Sequence, residues 1–234
     1  MWTQAPVDVA IGSQVSIRHV NTQGGYLHSH VQTYPGGSKR MSQLARSVEF
    51  YSYIAILASE QQVTLYPHRD QNNEWRIVNA TGESEVGLDW AKVPITYLVP
   101  GARIKLRHIP TEKHLHSHDV RPPISDVDFQ NEVSAYGMPG FTGDANDDWI
   151  LEIDHGDKKD PESGKKLRTL RTVFKLKHAL TGCYLFSHKV KLPDWGFEQQ
   201  EVTCNKNAVK DNSLWYVETS MHEACELCFW FLLG

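Results

Sequence analysis

Cysteine is scarce. The chain has four in 234 residues, too few for the disulfide frameworks that hold small secreted scaffolds together. Cys225 and Cys228 form a single CxxC with no second CxxC or HxxxH to complete a tetrahedral ligand set, so no metal and no cofactor is expected. Cys183 and Cys204 fall in strand-like segments, where they read either as a disulfide formed in an oxidising lumen or as two small core residues. Long apolar runs are also missing. Nothing approaches the roughly 18 residues of a membrane helix, and Met1 to Val20 lacks the apolar stretch of a secretory signal. The expectation is a chain that does not itself insert into a membrane and that enters any secretory compartment as part of a longer protein. An excess of positive charge is absent too: 24 Lys and Arg stand against 28 Asp and Glu, dispersed along the chain, which leaves no basic stripe for nucleic acid. The local cations from Lys158 to Lys177 are interleaved with acids such as Asp160 and Glu162, the mixture of a solvated face or loop.

What is present is repetition. Val15-Ser16-Ile17-Arg18-His19, Ile104-Lys105-Leu106-Arg107-His108 and Phe174-Lys175-Leu176-Lys177-His178 each alternate apolar and polar residues and end in His, the pattern of three equivalent strands. A second strand follows each: Tyr26-Leu27-His28-Ser29-His30, His114-Leu115-His116-Ser117-His118 and Tyr184-Leu185-Phe186-Ser187-His188. Third come Gln62-Val63-Thr64, Glu132-Val133-Ser134 and Glu201-Val202-Thr203, and then a fourth strand opening on Trp75, Trp149 or Trp215 with an aliphatic residue two positions on, Ile77, Leu151 or Val217. Four short strands repeated three times predict an all-β fold of about twelve strands, a β-trefoil, in which six strands close a barrel and six cap it as hairpins. The recurring Trp, Leu and Val are then core.

The expected trefoil runs over 12–222, with units at about 12–80, 101–155 and 168–222 and a tail of doubtful structure at 223–234. From the last His of the second strand to the Val of the third there are 15 and 14 residues in the later units but 33 in the first, an excess of about eighteen by ordinary loop lengths. These lie at about 40–60, where Leu44, Val48, Tyr51 and Ala55 form a helical stripe; they read either as an added helix or as sequence never selected to fold.

These segments resemble the MIR repeats shared by protein O-mannosyltransferases, stromal-derived-factor-2-like luminal proteins and the inositol trisphosphate and ryanodine receptors. The mannosyltransferases fit best, through Tyr26 to Pro35, Gln61-Gln62-Val63-Thr64, Asn72-Asn73-Glu74-Trp75 and Leu192-Pro193-Asp194-Trp195-Gly196. The resemblance implies a domain in the lumen of the endoplasmic reticulum, attached to a membrane-embedded core that transfers mannose from dolichyl-phosphate-mannose to Ser or Thr, and associated with a partner subunit. The family's catalytic carboxylates lie outside such a domain, and no segment here matches them. The chain is therefore expected to be non-catalytic alone. The alternatives are a stand-alone luminal partner of chaperones, disfavoured by the missing entry signal and retention tetrapeptide, and a trefoil lectin of neither family. An inositol phosphate receptor would need clustered cations that this sequence does not offer.

The pairs Ser29-His30, Ser117-His118 and Ser187-His188 do not suit a hydrolase, because neighbours on a strand point to opposite faces. His19, His108 and His178 share the inward face with apolar residues and read as neutral, buried imidazoles bonded to backbone carbonyls. His28, His30, His116, His118 and His188 lie on the face of the second strand that also carries Tyr26 and Tyr184, where imidazole beside an aromatic plane suits a sugar. Asn73, Asn146 and Asn212, from the loops before each Trp, are their candidate partners, giving up to three equivalent ligand sites for acceptor polypeptide or mannosylated glycopeptide. Asn79-Ala80-Thr81 is an N-glycosylation acceptor.

Overall fold

A computed structural model of the chain describes residues 5–22, 25–35, 60–81, 88–89, 92–125, 129–207 and 210–221. The helical stripe at 44–55 and the Cys225–Cys228 tail lie outside them. Twelve strands follow one another: β1 Gln14–His19, β2 Tyr26–Thr33, β3 Gln61–Tyr66, β4 Glu74–Asn79, β5 Arg103–His108, β6 His114–Ser117, β7 Gln130–Tyr136, β8 Trp149–Gly156, β9 Thr172–His178, β10 Tyr184–Lys191, β11 Gln200–Asn205 and β12 Trp215–Met221.

Antiparallel pairing runs β1–β4–β5–β8–β9–β12 and returns to β1, so six strands close a barrel with no free edge. The other six form the hairpins β2–β3, β6–β7 and β10–β11, and their second strands also pair with one another in a triangle. This is the β-trefoil that the repeats predict.

The threefold logic is visible atom by atom. Trp75, Trp149 and Trp215 are fully buried, and each indole Nε1 donates to the carbonyl of the hairpin leucine of its own unit: Leu27 at 2.9 Å, Leu115 at 3.0 Å and Leu185 at 3.0 Å. That bond ties barrel to cap. Each ring packs on the terminal His of the following unit's first strand, Trp75 on His108 at 4.9 Å, Trp149 on His178 at 5.0 Å and Trp215 on His19 at 4.7 Å, which locks adjacent units together. Ser29, Ser117 and Ser187 donate to the carbonyls of Gln62, Glu132 and Glu201. They are hairpin ties, not nucleophiles.

Nε2 of His19, His108 and His178 lies 2.9–3.0 Å from the carbonyls of Asn212, Asn72 and Asn146. A carbonyl only accepts, so Nε2 carries the hydrogen and Nδ1 faces a threonine hydroxyl. Burial lowers the pKa of all three, that of His108 to about 4. Between about 4 and the unfolded value near 6.5 the unfolded chain then binds more protons than the folded one. Stability therefore rises with pH across that window and falls as pH drops through it. His108 alone is expected to contribute on the order of 2–3 kcal/mol that is present at neutral pH and lost by about pH 4. Urea midpoints at pH 7, 5.5 and 4.5 for the native chain and for His108→Gln read this out; parallel pH profiles would mean that His108 takes up its proton equally well folded and unfolded.

The fold also begins earlier than residue 12. Val9, Leu98 and Leu167 are buried at the open end of the barrel and bond in a cycle, Val9 N to Leu167 O, Leu98 N to Val9 O and Leu167 N to Leu98 O. Each sits outside the twelve strands, in a segment that no four-strand repeat flags. Several cations of 158–177 are paired: Arg168 with Asp160 and Asp8, Lys166 with Asp8, Arg171 with Asp157 and Lys175 with Asp154. Cys183 and Cys204 form a disulfide. Asn79 is exposed at the end of β4.

Candidate functional site

The three hairpin faces share a backbone plan but carry different chemistry. In the first unit a short turn, 71–73, precedes Trp75 and is closed by Asp70, whose side chain accepts from Asn72 N. The turn delivers Asn73, fully buried, beneath His28. Asn73 Oδ1 accepts from Asp70 N at 2.5 Å, so its amide nitrogen faces His28 Nδ1 at 3.3 Å and donates to it. His28 therefore carries its hydrogen on Nε2. Burial lowers its pKa to about 4, against the pull of Asp70 at 3.6 Å. Tyr66 packs on one side of His28 at 4.9 Å and His30 on the other at 5.4 Å, with Phe197 a further 5.3 Å from His30.

His30 is the notable member. Its Nδ1 accepts from Gln32 N at 3.1 Å, which puts the hydrogen on Nε2. That atom is buried and has no hydrogen-bond partner among the described residues, although buried polar groups are almost always satisfied. Beside it Phe197, whose own backbone takes a φ of +55°, is 61 % exposed. An unanswered donor next to an open aromatic face is a place for a hydroxyl or carbonyl oxygen on a molecule that also presents C–H surface.

In the second unit Asp147 replaces Asn73. Asp147 Oδ2 accepts from Asp144 N at 2.6 Å, and Oδ1 lies 2.8 Å from His116 Nδ1. Burial raises the Asp147 pKa; His116 is raised too, against its own burial, by the Asp147 hydrogen bond and charge, so the pair keeps a proton between them. His116 Nε2 lies 3.0 Å from His118 Nδ1. Tyr136 packs on His116 at 5.0 Å, as Tyr66 does on His28.

In the third unit Phe186 stands where the other units have His28 and His116, and the buried Ser213 where they have Asn73 and Asp147. His188 packs on Phe186 at 5.2 Å, and its Nε2 bonds Ser125 Oγ at 2.7 Å. Ser125 is itself bound to the fully buried Glu201 carboxylate, so residues 124–125 cover this face.

Of the eight candidate residues, the structure brings together His28, His30 and Asn73 in one group and His116 and His118 in another. Asn146 and Asn212 do not face the hairpin histidines. One position earlier in the turn than Asn73, they offer their backbone carbonyls to His178 and His19, and Asp147 and Ser213 occupy the place expected of them. Sequence reasoning also missed Tyr66, Tyr136 and Phe197. Tyr66 and Tyr136 end the third strand of their units and could have been found from that register; Phe197 sits in an irregular loop with no repeat to flag it.

The closed six-stranded barrel with a three-hairpin cap places the chain among the β-trefoils. The MIR domain family matches residues 25–217, and the chain belongs to that family. It is 47 % identical over 216 residues to dolichyl-phosphate-mannose–protein mannosyltransferase 1 of Saccharomyces cerevisiae, covering 91 % of this chain and 23 % of that protein. It is also 39 % identical over 218 residues to protein O-mannosyl-transferase 2 of Drosophila melanogaster, covering 93 % and 24 %. Among solved structures it matches a chain of the S. cerevisiae protein O-mannosyltransferase Pmt1-Pmt2 complex bound to the sugar donor, with a TM-score of 0.75, 44 % identity and coverage of 93 % and 26 %. The SDF2-like protein of Arabidopsis thaliana matches with a TM-score of 0.69, 26 % identity and coverage of 92 % and 97 %. The chain thus spans about a quarter of the length of the mannosyltransferases it matches. Among the described residues no helix is long and apolar enough to cross a membrane.

Proposed function

We propose that this chain is the MIR domain of a protein O-mannosyltransferase, lying in the lumen of the endoplasmic reticulum without transfer chemistry of its own and holding acceptor polypeptide or its mannosyl product. The membrane-embedded core and a partner subunit would supply the rest of the enzyme. The identity to two mannosyltransferases over nearly the whole chain supports the setting. The observation that carries ligand engagement is the buried, unanswered Nε2–H of His30 beside the exposed Phe197 ring. A saccharide would accept from the imidazole through a hydroxyl and lay its C–H face on the ring, with Asn73 and Asp70 fixing His28 behind it.

Two-dimensional NMR with mannose and with an α-mannosyl-Ser/Thr peptide tests this. Saturable shifts are expected at His30, Phe197 and Tyr66, with affinity at least tenfold weaker for His30→Ala, the loss of one useful contact of about 1.4 kcal/mol. Shifts with the unmodified acceptor peptide as well would place polypeptide on the same face. A well-folded chain whose spectrum does not move with any of these ligands would remove the recognition role. The weight would then pass to a scaffold that binds partner proteins, a reading favoured by the Arabidopsis SDF2-like neighbour, which consists almost wholly of the same fold.

A further inference from the structure

The pseudo-threefold symmetry is broken in one place by two carboxylates at once. At the cap, a Ser or Thr of the third strand bonds the residue three positions before the third-strand Val of another unit: Thr64 to Gln199 Oε1 at 2.5 Å, Thr203 to Gln130 Oε1 at 2.7 Å and Ser134 to Glu60 Oε2 at 2.6 Å. Two of these partners are neutral amides, and the third, facing the second unit, is a carboxylate. Beneath the hairpin His, the first unit has the amide Asn73 and the third the hydroxyl Ser213, whereas the second has the carboxylate Asp147. Both acids, Asp147 from the second unit itself and Glu60 from the first, face the hairpin that carries the adjacent pair His116 and His118.

The exchange of Asn73 for Asp147 has a chemical consequence. An amide N–H2 donates to His28 Nδ1 and leaves a hydrogen on Nε2. A carboxylate does the reverse: Asp147 accepts from His116 Nδ1–H and leaves the Nε2 lone pair pointing outward at His118 Nδ1, 3.0 Å away. The donor atoms of Glu60, His116 and His118 all lie within 4.8 Å of one another. Two ligands at about 2.0–2.1 Å from a tetrahedral zinc stand about 3.3 Å apart, so the His pair needs to open slightly and the half-buried Glu60 to rotate inward.

We infer that Glu60, His116 and His118 form a zinc site on the second hairpin, with Asp147 orienting His116, Ser134 orienting Glu60 and the fourth position open to solvent. Two imidazoles and one carboxylate suit Zn2+ rather than Ca2+ or Mg2+, which take oxygen donors. Each of two ligands already has the hydrogen-bonded outer partner that fixes a metal ligand's tautomer or orientation. On binding, the hydrogen that His118 shares with His116 moves to His118 Nε2, and Nδ1 becomes the ligand. The site does not depend on whether the first hairpin reads sugar.

The purified chain, with Cys225→Ser and Cys228→Ser to remove a competing thiol pair, is dialysed against Zn2+ and titrated with Co2+ followed by its visible absorption. One equivalent of zinc and a tetrahedral cobalt spectrum are expected. Glu60→Gln, which keeps the Ser134 contact and the shape, and His118→Ala should each weaken binding by about 10–100-fold. Asn73→Asp combined with Gln199→Glu should build a second equivalent on the first hairpin beside His28 and His30. A folded chain that takes up no zinc, or one whose zinc is indifferent to both Glu60→Gln and His118→Ala, overturns the assignment.

Discussion

Alanine in place of Trp149 is expected to cost this domain about 3–5 kcal/mol, the range for deleting a large aromatic side chain from a packed core. A domain of ordinary stability has only about 5–15 kcal/mol in total, so the variant will sit near its unfolding threshold. Three losses coincide. The indole is fully buried, and its removal opens a void at the junction of barrel and cap. Leu115 loses the Nε1–H that reaches its carbonyl at 3.0 Å, and the His178 ring loses the face it packs on at 5.0 Å. Trp149→Phe separates these effects, since it keeps most of the volume and removes the donor, and should cost about 1–3 kcal/mol. Urea unfolding of both variants, with Trp195→Ala as a half-buried comparison, provides the measurement. A loss below about 1 kcal/mol for Trp149→Ala, no larger than for the comparison, would mean that the cap does not hang from the barrel through this residue. The same substitution at Trp75 or Trp215 should cost a similar amount, because the same bond is made in each unit.

That equivalence explains why the fold is legible in the amino-acid sequence. The trefoil needs the same barrel contact three times, and Trp, hairpin Leu and strand-end His recur because each makes the same bond in each unit. The periodicity of the strands gave their faces, so His19, His108 and His178 could be assigned inward and neutral, as their carbonyl partners and lowered pKa values show. What repeats was readable; what closes the barrel's far end was not. Val9, Leu98 and Leu167 make the same bond in turn, yet the segments that carry them do not resemble one another in sequence.

The hairpin faces illustrate the opposite case. Their chemistry is set by residues that differ between units, and a reading built on equivalence blurs the differences. Asn73, Asn146 and Asn212 looked alike because each precedes a Trp by two or three residues. A turn of 3-10 geometry advances each residue by about a third of a turn, so one residue of offset separates a side chain buried under the hairpin from one whose carbonyl alone is used. Aligned on the Trp, the true series is Asn73, Asp147 and Ser213, and it passes from amide to carboxylate to hydroxyl. One shared scaffold thereby presents a donor to His28, an acceptor to His116 and neither requirement to Phe186. The three faces thus differ in the hydrogen bonding they offer.

The disulfide is a departure of the same kind, confined to the third unit. The residue entering the second strand is Gly25, Lys113 or Cys183, each offering its carbonyl to the His of its own unit. Opposite stand Leu65, Ala135 and Cys204, paired across the hairpin with Leu27, Leu115 and Leu185. A side chain on Gly25 would meet Leu65 Cβ at 3.1 Å, which shows how close these two positions lie; at the third hairpin the same proximity is occupied by two sulfurs, with Cα atoms 5.3 Å apart. The bond closes a loop of 21 residues of separation, and chain-entropy reasoning gives about 3 kcal/mol for a loop of that size. Converting both Cys183 and Cys204 to alanine should therefore lower Tm by about 6–12 °C in a domain of this length, and reduction of the native chain should do much the same. The loss should concentrate in the third hairpin, which hydrogen exchange would show as faster opening of β10 and β11 with β2 and β3 little changed. An unchanged Tm after verified reduction would mean that the reduced unfolded chain is already held compact there, so that the crosslink removes little freedom.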